Sequence, residues 1–200
     1  MPAAESADYD LEAKLFRNGR DPGAQAILRI APSDSLEFEF EIERVREHGG
    51  SRAREDDFST ALEWLQPHGG SGPFAGFGIA FGAGRDRDSS LSASLSKTRT
   101  RSLVLALGWG FGPGRSLKAK AGPLQERTPS GWRGGTAFDL EARYALSDQA
   151  GLRLKFEHDE DGTARILTLA YKLRPGLKLT ADAGRDGSDT RGGIGVQWTC

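Results

Sequence analysis

From Leu36 to Glu43 the chain reads Leu-Glu-Phe-Glu-Phe-Glu-Ile-Glu, a large hydrophobe at every even position and a glutamate at every odd one. A period of two sorts such a segment onto two faces only as a β-strand, because a helix would spread both sets around its circumference. The same alternation sets Tyr9, Leu11, Ala13 and Leu15 against Asp10, Glu12 and Lys14, and Ala24, Ala26, Leu28 and Ile30 against Gln25 and Arg29. It returns at Phe58, Leu62 and Trp64, along Phe138 to Leu146, at Leu152, Leu154 and Phe156, along Leu167 to Leu173, along Leu177 to Ala183, and at Ile194, Val196 and Trp198. Between these segments stand Asn18-Gly19, Gly49-Gly50, Gly112-Pro113-Gly114, Ser147-Asp148, Asp161-Gly162, Pro175-Gly176 and Asp186-Gly187. This is turn chemistry, so the strands are joined as antiparallel hairpins.

The pattern predicts thirteen candidate strands, at 8–17, 24–31, 35–46, 57–66, 74–84, 90–98, 101–111, 115–122, 135–147, 151–158, 164–173, 176–184 and 191–199. Single-chain bacterial barrels close with an even number. One segment is therefore expected to be misassigned, and Pro123 and Pro129 direct suspicion to 112–134. The fold class expected is all-β, an antiparallel up-and-down transmembrane β-barrel of about twelve strands, with ten to fourteen open. It forms one domain at 8–199 behind a short lead-in at 1–7. Connections near 112–115, 147–150 and 174–176 read as short, and those near 123–134, 159–163 and 185–190 as longer. Long and short connections alternate in an outer-membrane barrel. The long stretch 47–57 has a phase that depends on the strand count.

Composition narrows the reading. The charge is balanced, 27 basic against 28 acidic residues, which removes the electrostatic case for a nucleic-acid partner. A mean hydropathy of −0.50 and the lack of any long apolar run exclude a membrane-spanning helix but not a spanning barrel. There are 27 glycines in 200 residues, about twice the usual share, and the one cysteine is Cys200, so there is no internal disulfide. No secretory signal is visible in Met1–Asp8, which suggests a mature form or a fragment of a longer chain.

Alternation alone does not say whether the apolar face meets lipid or a dry interior. Three features favour lipid. A barrel of about twelve strands is wider than the roughly eight-stranded size whose interior side chains can fill, so inward hydrophobes would leave a void. Aromatic residues gather towards strand ends, at Tyr9, Trp64, Trp109, Phe111, Tyr144, Tyr171 and Trp198, as interfacial girdles do. Small residues share one face over Gly76, Gly78, Ala80, Gly82 and Gly84, then Ser92, Ser94, Ser96, Ser102, Ala106, Gly108 and Gly110. They leave room in a lumen, allow strong sheet coiling, or both. The lumen-facing set is expected to comprise Glu37, Glu39, Glu41, Glu43, Gly76, Gly78, Gly82, Arg143, Arg153, Lys155 and Glu157.

At the C-terminus Arg191, Gly193, Val196 and Trp198 place a polar residue, a glycine two later, and hydrophobes three and five after it. This resembles the signal by which the barrel assembly machinery recognises outer-membrane proteins, with Gly193, Val196 and Trp198 as the matching positions. It departs from that signal in that Thr199 and Cys200 follow the aromatic. Across residues 8–199 the chain resembles a bacterial outer-membrane β-barrel, and among these the C-terminal translocator domain of autotransporters. The resemblance implies outer-membrane residence as anchor and translocator of an upstream passenger, or as a small polar channel. It implies outer-membrane lipid, lipopolysaccharide and the assembly machinery as partners. The helix that precedes the first strand in translocators has no counterpart in the few residues before Asp8.

Enzymatic chemistry is not expected. His48, His68 and His158 lack the paired spacing of a zinc site, and neither metal nor cofactor is implied. His158 beside Asp159, Glu160 and Asp161 is the only candidate for a rim-located general base, and no nucleophile accompanies it. The acidic run also lacks the spacing of a calcium loop. Gly82-Ala83-Gly84 and Gly108-Trp109-Gly110 lie within strands and read as structural rather than as phosphate loops. The competing architecture is a soluble secreted or periplasmic all-β binding protein with its apolar face inward.

Overall fold

In the computed structural model of the chain, which describes residues 8–33, 35–46, 54–66, 71–87, 95–128, 131–158 and 162–200, the alternating segments become twelve strands. They are β1 (Asp8–Asn18), β2 (Asp21–Ser33), β3 (Leu36–Arg46), β4 (Arg54–Leu65), β5 (Ser71–Arg87) and β6 (Leu95–Phe111). Then follow β7 (Ser116–Thr128), β8 (Gly131–Ala145), β9 (Ala150–His158), β10 (Thr163–Arg174), β11 (Leu177–Asp186) and β12 (Asp189–Thr199). Each pairs antiparallel with its neighbours in sequence, and β1 pairs with β12, closing the barrel. The closing register matches Leu11 with Trp198, Ala13 with Val196 and Leu15 with Ile194, so the seam continues the apolar outer face.

The surplus thirteenth strand lies elsewhere than Pro123 and Pro129 suggest. The candidates 90–98 and 101–111 are parts of one strand, β6, as far as the described residues reach. The polar run Lys97-Thr98-Arg99-Thr100-Arg101 breaks the apolar pattern without breaking the ladder, because β5 is equally long and pairs with it from Phe111 back to Leu95. β7 runs straight through Pro123, which lacks an amide hydrogen. The β6–β7 ladder is open between the pairs Ser102–Leu124 and Leu105–Ala121 and resumes in the same register, while the β7–β8 ladder continues through Pro123–Thr136. A Cβ on Gly122 would collide with the Leu103 carbonyl, so glycine and proline together accommodate the close approach.

Longer strands also shorten two connections read as long. Only residues 129–130 and 187–188 separate the flanking strands there. The longest connections, 47–53 and 88–94, lie with 159–162 at the end opposite the chain termini. Tight two-residue turns need a left-handed residue, supplied by Gly19 at φ 59° and Gly176 at φ 75°.

Burial is inverted relative to a soluble protein. Thirty large hydrophobic side chains among the described residues are exposed, with Leu105 and Ile194 at 68 %, whereas Glu12 on the inner face is 2 % exposed. Each leucine-sized group left in water forgoes about 1.5–3 kcal/mol, so a continuous band of them is a surface made for lipid. Phe40, Ile79 and Leu154 all belong to this outer band. The Trp and Tyr girdle is weighted to one end: Tyr9, Trp64, Trp109, Tyr144, Tyr171 and Trp198 lie near the strand ends on the terminus side, and Trp132, at the start of β8, is exposed at the other.

The inner wall shows what many glycines are for. Long inward side chains lie flat against the barrel, each resting on a neighbouring strand where any Cβ would collide. Phe16 covers Gly23 on β2 and touches Gly193 on β12, Phe74 covers Gly108, and Thr100 covers Gly82. A Cβ on Gly195 would stand 2.6 Å from Lys14 Cγ and 2.7 Å from Thr180 Oγ1. Room and curvature, the two roles expected of these positions, are thus joined by a third, seating.

Two outcomes test this architecture. The purified chain is expected to need detergent and to migrate faster on a gel before heating than after; a monomer that is soluble without detergent and migrates identically would overturn the lipid-facing assignment. Gly195→Val is expected to destabilise the refolded barrel by about 2–4 kcal/mol, through overpacking and displacement of the buried Lys14. Gly192→Ala is expected to be nearly neutral, since its Cβ would meet only the Asp182 carbonyl, at 3.8 Å. Urea unfolding followed by tryptophan fluorescence compares them.

Candidate functional site: a charged lumen

Strand parity turns the glutamates, lysines and arginines inward, and the closed sheet holds them around a common axis. A cavity of about 410 Å³ is bordered by residues of all twelve strands. A second, of about 640 Å³, opens at the terminus end between Asp8, Ser35, Leu65, Gly112 and Arg115. Glu37, Glu63, Lys118, Glu141 and Arg143 border both, so mouth and lumen share a charged wall.

Of the residues singled out in the sequence, Glu37, Glu39, Glu41, Glu43, Gly78, Arg143, Arg153, Lys155 and Glu157 border the central cavity. Gly76 and Gly82 lie on the same face under neighbouring groups: a Cβ on Gly76 would meet the Trp64 carbonyl and Leu65, and one on Gly82 would meet Thr100. Ser92 and Ser94 lie outside the described residues.

Around the axis the charges form separate networks. Lys14 bridges Glu12 at 3.1 Å and Asp182 at 2.9 Å, passing over Gly195, while Thr180 reaches Glu12 at 3.5 Å. These side chains are all but inaccessible, and a buried cation held by two carboxylates closes that side of the lumen by dense ionic packing. Next to it Arg29 meets Glu39 at 2.7 Å, Glu12 at 3.4 Å and Asp10 at 3.9 Å. Gln25 donates to both Glu41 and Glu43, and Arg191 spans two strands to Glu43 at 3.5 Å. On the other side Lys118 and Lys120 of β7 reach over β5 and β6 to Glu63 of β4, Lys118 at 3.1 Å. Small residues on the intervening strands, such as Gly78 and Ala106, leave room for this reach.

Glu63, Lys118, Lys120, Arg29, Lys14, Asp182 and Arg191 were not among the expected lumen set. Their parity was available in the sequence; their partners, on strands two or three places away, were not. In the strand order β3 stands six places from β9, diametrically across the ring. The acidic column Glu37, Glu39, Glu41 and Glu43 therefore faces Arg153 and Lys155, flanked by Lys118, Lys120 and Arg143. Lys155 and Glu157 pair on β9 and remain about a third accessible, at 36 % each, so this half of the wall keeps solvent contact.

His158 ends β9 on the outer-face parity of Leu154 and Phe156, and its Nδ1 shares a 2.9 Å hydrogen bond with Thr163 Oγ1, not with a carboxylate. His48, His68 and Asp159–Asp161 lie outside the described residues. Among the described residues no group of three His, Cys, Asp or Glu is arranged to hold a metal ion. Val196 and Trp198 are exposed on the outer face of the closing strand, opposite Ala13 and Leu11, and Gly193 faces inward beneath Phe16.

No protein-family model and no curated protein sequence matches the chain. Solved structures do. The KdgM porin in complex with disordered oligogalacturonate is similar with a TM-score of 0.65 at 13 % identity, over 94 % of this chain and 98 % of its own. The NanC porin gives 0.65 at 9 % identity, over 95 % and 98 %. The COG4313 outer membrane channel from Pseudomonas putida F1 gives 0.64 at 13 % identity, over 100 % and 99 %. At such identities the likeness speaks for the fold, and the fold is that of bacterial outer-membrane β-barrels.

Proposed function

We propose that this protein is an outer-membrane channel for small polar solutes. The observation that carries the reading is the charge-lined central cavity bordered by every strand, which shares five charged wall residues with a second cavity at the terminus end. The lining favours a solute channel over a passenger translocator: Lys14 with Glu12 and Asp182, Arg29 with Glu39, and Lys118 and Lys120 with Glu63 are fixed charge pairs inside the bore, where a threading segment would have to displace them.

The lining also indicates which solutes fit. The oligogalacturonate of the KdgM complex is a polyanion, and Glu37 and Glu41, the two glutamates of the β3 column without an arginine partner, oppose one. Acids predominate on β3 and bases on β7 to β9, where Asp139, Glu141 and Glu157 offset part of the positive charge, so a weakened field runs across the lumen and any net ion preference stays modest.

Conductance in planar lipid bilayers tests this. The refolded barrel is expected to insert in discrete steps. Glu37→Gln with Glu41→Gln is expected to lower the K⁺ to Cl⁻ permeability ratio by roughly two- to threefold, and Arg153→Gln to raise it. A heat-modifiable barrel that inserts without conductance steps would remove the channel reading while leaving the fold intact.

A further inference from the structure

The outer face changes chemistry at the end opposite the termini. On β6 the lipid-facing series Leu107, Leu105, Leu103 continues as Arg101 and Arg99; on β10 Leu169 and Leu167 give way to Arg165; on β11 Ala181 and Ala183 give way to Arg185. Arg127 at the end of β7 completes the set, and all five are exposed. The girdle end differs: its exposed Lys172 and Arg174 fall on the inward parity of β10, and Arg115 sits in a turn over the Tyr144 ring at 4.8 Å.

Two of these contacts are unfavourable as they stand. Arg99 lies directly opposite Arg127, and Arg165 directly opposite Arg185, in the strand registers. Like charges facing each other across a sheet repel. Among the described residues none of the five forms an ion pair with a carboxylate, whereas Arg44 on the far side of the barrel holds Asp56 at 2.6 Å. Arg101 and Arg127 instead lie over the Trp132 ring, at 4.6 and 5.9 Å, and Arg101 Nε donates to Gln125 Oε1 at 2.7 Å, contacts that fix their stems. Guanidinium pairs at the rim of an apolar belt sit at headgroup depth, and their forked donors match phosphate oxygens.

We propose that the pairs Arg99–Arg127 and Arg165–Arg185 bind the phosphate groups of a phosphorylated glycolipid in the surrounding leaflet, the chemistry of lipopolysaccharide. Each pair clamps one phosphate, and the anion converts a repulsive contact into a bridge. The inference concerns the outer face and stands independently of what the lumen conducts.

The test uses the refolded barrel in neutral detergent, with lipid retention read by native mass spectrometry and thermal unfolding by tryptophan fluorescence. Diphosphorylated lipid A is expected to be retained and to raise the unfolding temperature; dephosphorylated lipid A and phosphatidylcholine are not. Arg99→Ser with Arg127→Ser, or Arg165→Ser with Arg185→Ser, is expected to weaken retention about tenfold, while Arg115→Ser leaves it unchanged. Heat-modifiable migration checks that each variant folds. Should a double serine variant fail to fold, Arg99→Lys with Arg165→Lys keeps the charge, loses the forks, and is expected to weaken retention severalfold. Undiminished retention in folded variants, equal retention of the dephosphorylated lipid, or displacement of lipid A by equimolar inorganic phosphate would overturn the proposal.

Discussion

The backbone pairing of β1 with β12 is the constraint on which the rest depends. It extends past the strand ends: Cys200 N donates to the Tyr9 carbonyl at 2.8 Å, and Gly19 N to the Thr190 carbonyl at 2.8 Å. In hydrocarbon an unpaired amide or carbonyl costs several kcal/mol, and an open sheet would present a whole row of them. Closure removes both edges at once. It then follows that side chains have two destinations only, lipid or lumen, and that a period of two in the sequence assigns each residue to one of them.

This is why the architecture was so legible and its details were not. Alternation located ten of the strands nearly as they stand, because lipid on one side and charge on the other enforce a strict pattern, and it cut β7 short at Pro123. It misled at β6, where Lys97 to Arg101 lie beyond the apolar belt: the strand continues on its hydrogen bonds to β5 after the lipid that dictates the pattern has ended. Pro123 raised the opposite suspicion, and the fold absorbs it by opening two rungs of one ladder while keeping the other. Inward residues were recognisable by parity, but parity names a face and never a partner. Lys14 finds Asp182 across the seam, and Lys118 finds Glu63 over two strands of small residues. Those distances depend on closure, which no local pattern encodes.

Glycine links the two levels. Side chains inside a barrel converge, and the bulky ones must lie along the wall because the axis cannot hold them all. Phe16 over Gly23, Phe74 over Gly108 and Lys14 over Gly195 show bulk on one strand matched by a missing Cβ on the next. The excess of glycine and the excess of inward charge are therefore one feature seen twice: removing side chains at some positions lets long ones elsewhere reach their counter-charges, and what remains unfilled is the cavity.

The outer face carries its own measure of the membrane. On β1 the apolar series runs between Tyr9 and Arg17, on β6 between Arg101 and Phe111, and on β10 between Arg165 and Leu173. Each interval is close to the roughly 9–11 residues that a tilted strand needs to cross a bilayer. Arginine bounds every interval on one side, and aromatic or leucine residues bound it on the other. A symmetric bilayer would give the barrel no reason to differ at its two rims. The difference fits two unlike leaflets: one met chiefly by rings that hydrogen-bond and stack, the other by guanidinium groups, two of them lying over Trp132, whose mutual repulsion anionic headgroups would relieve.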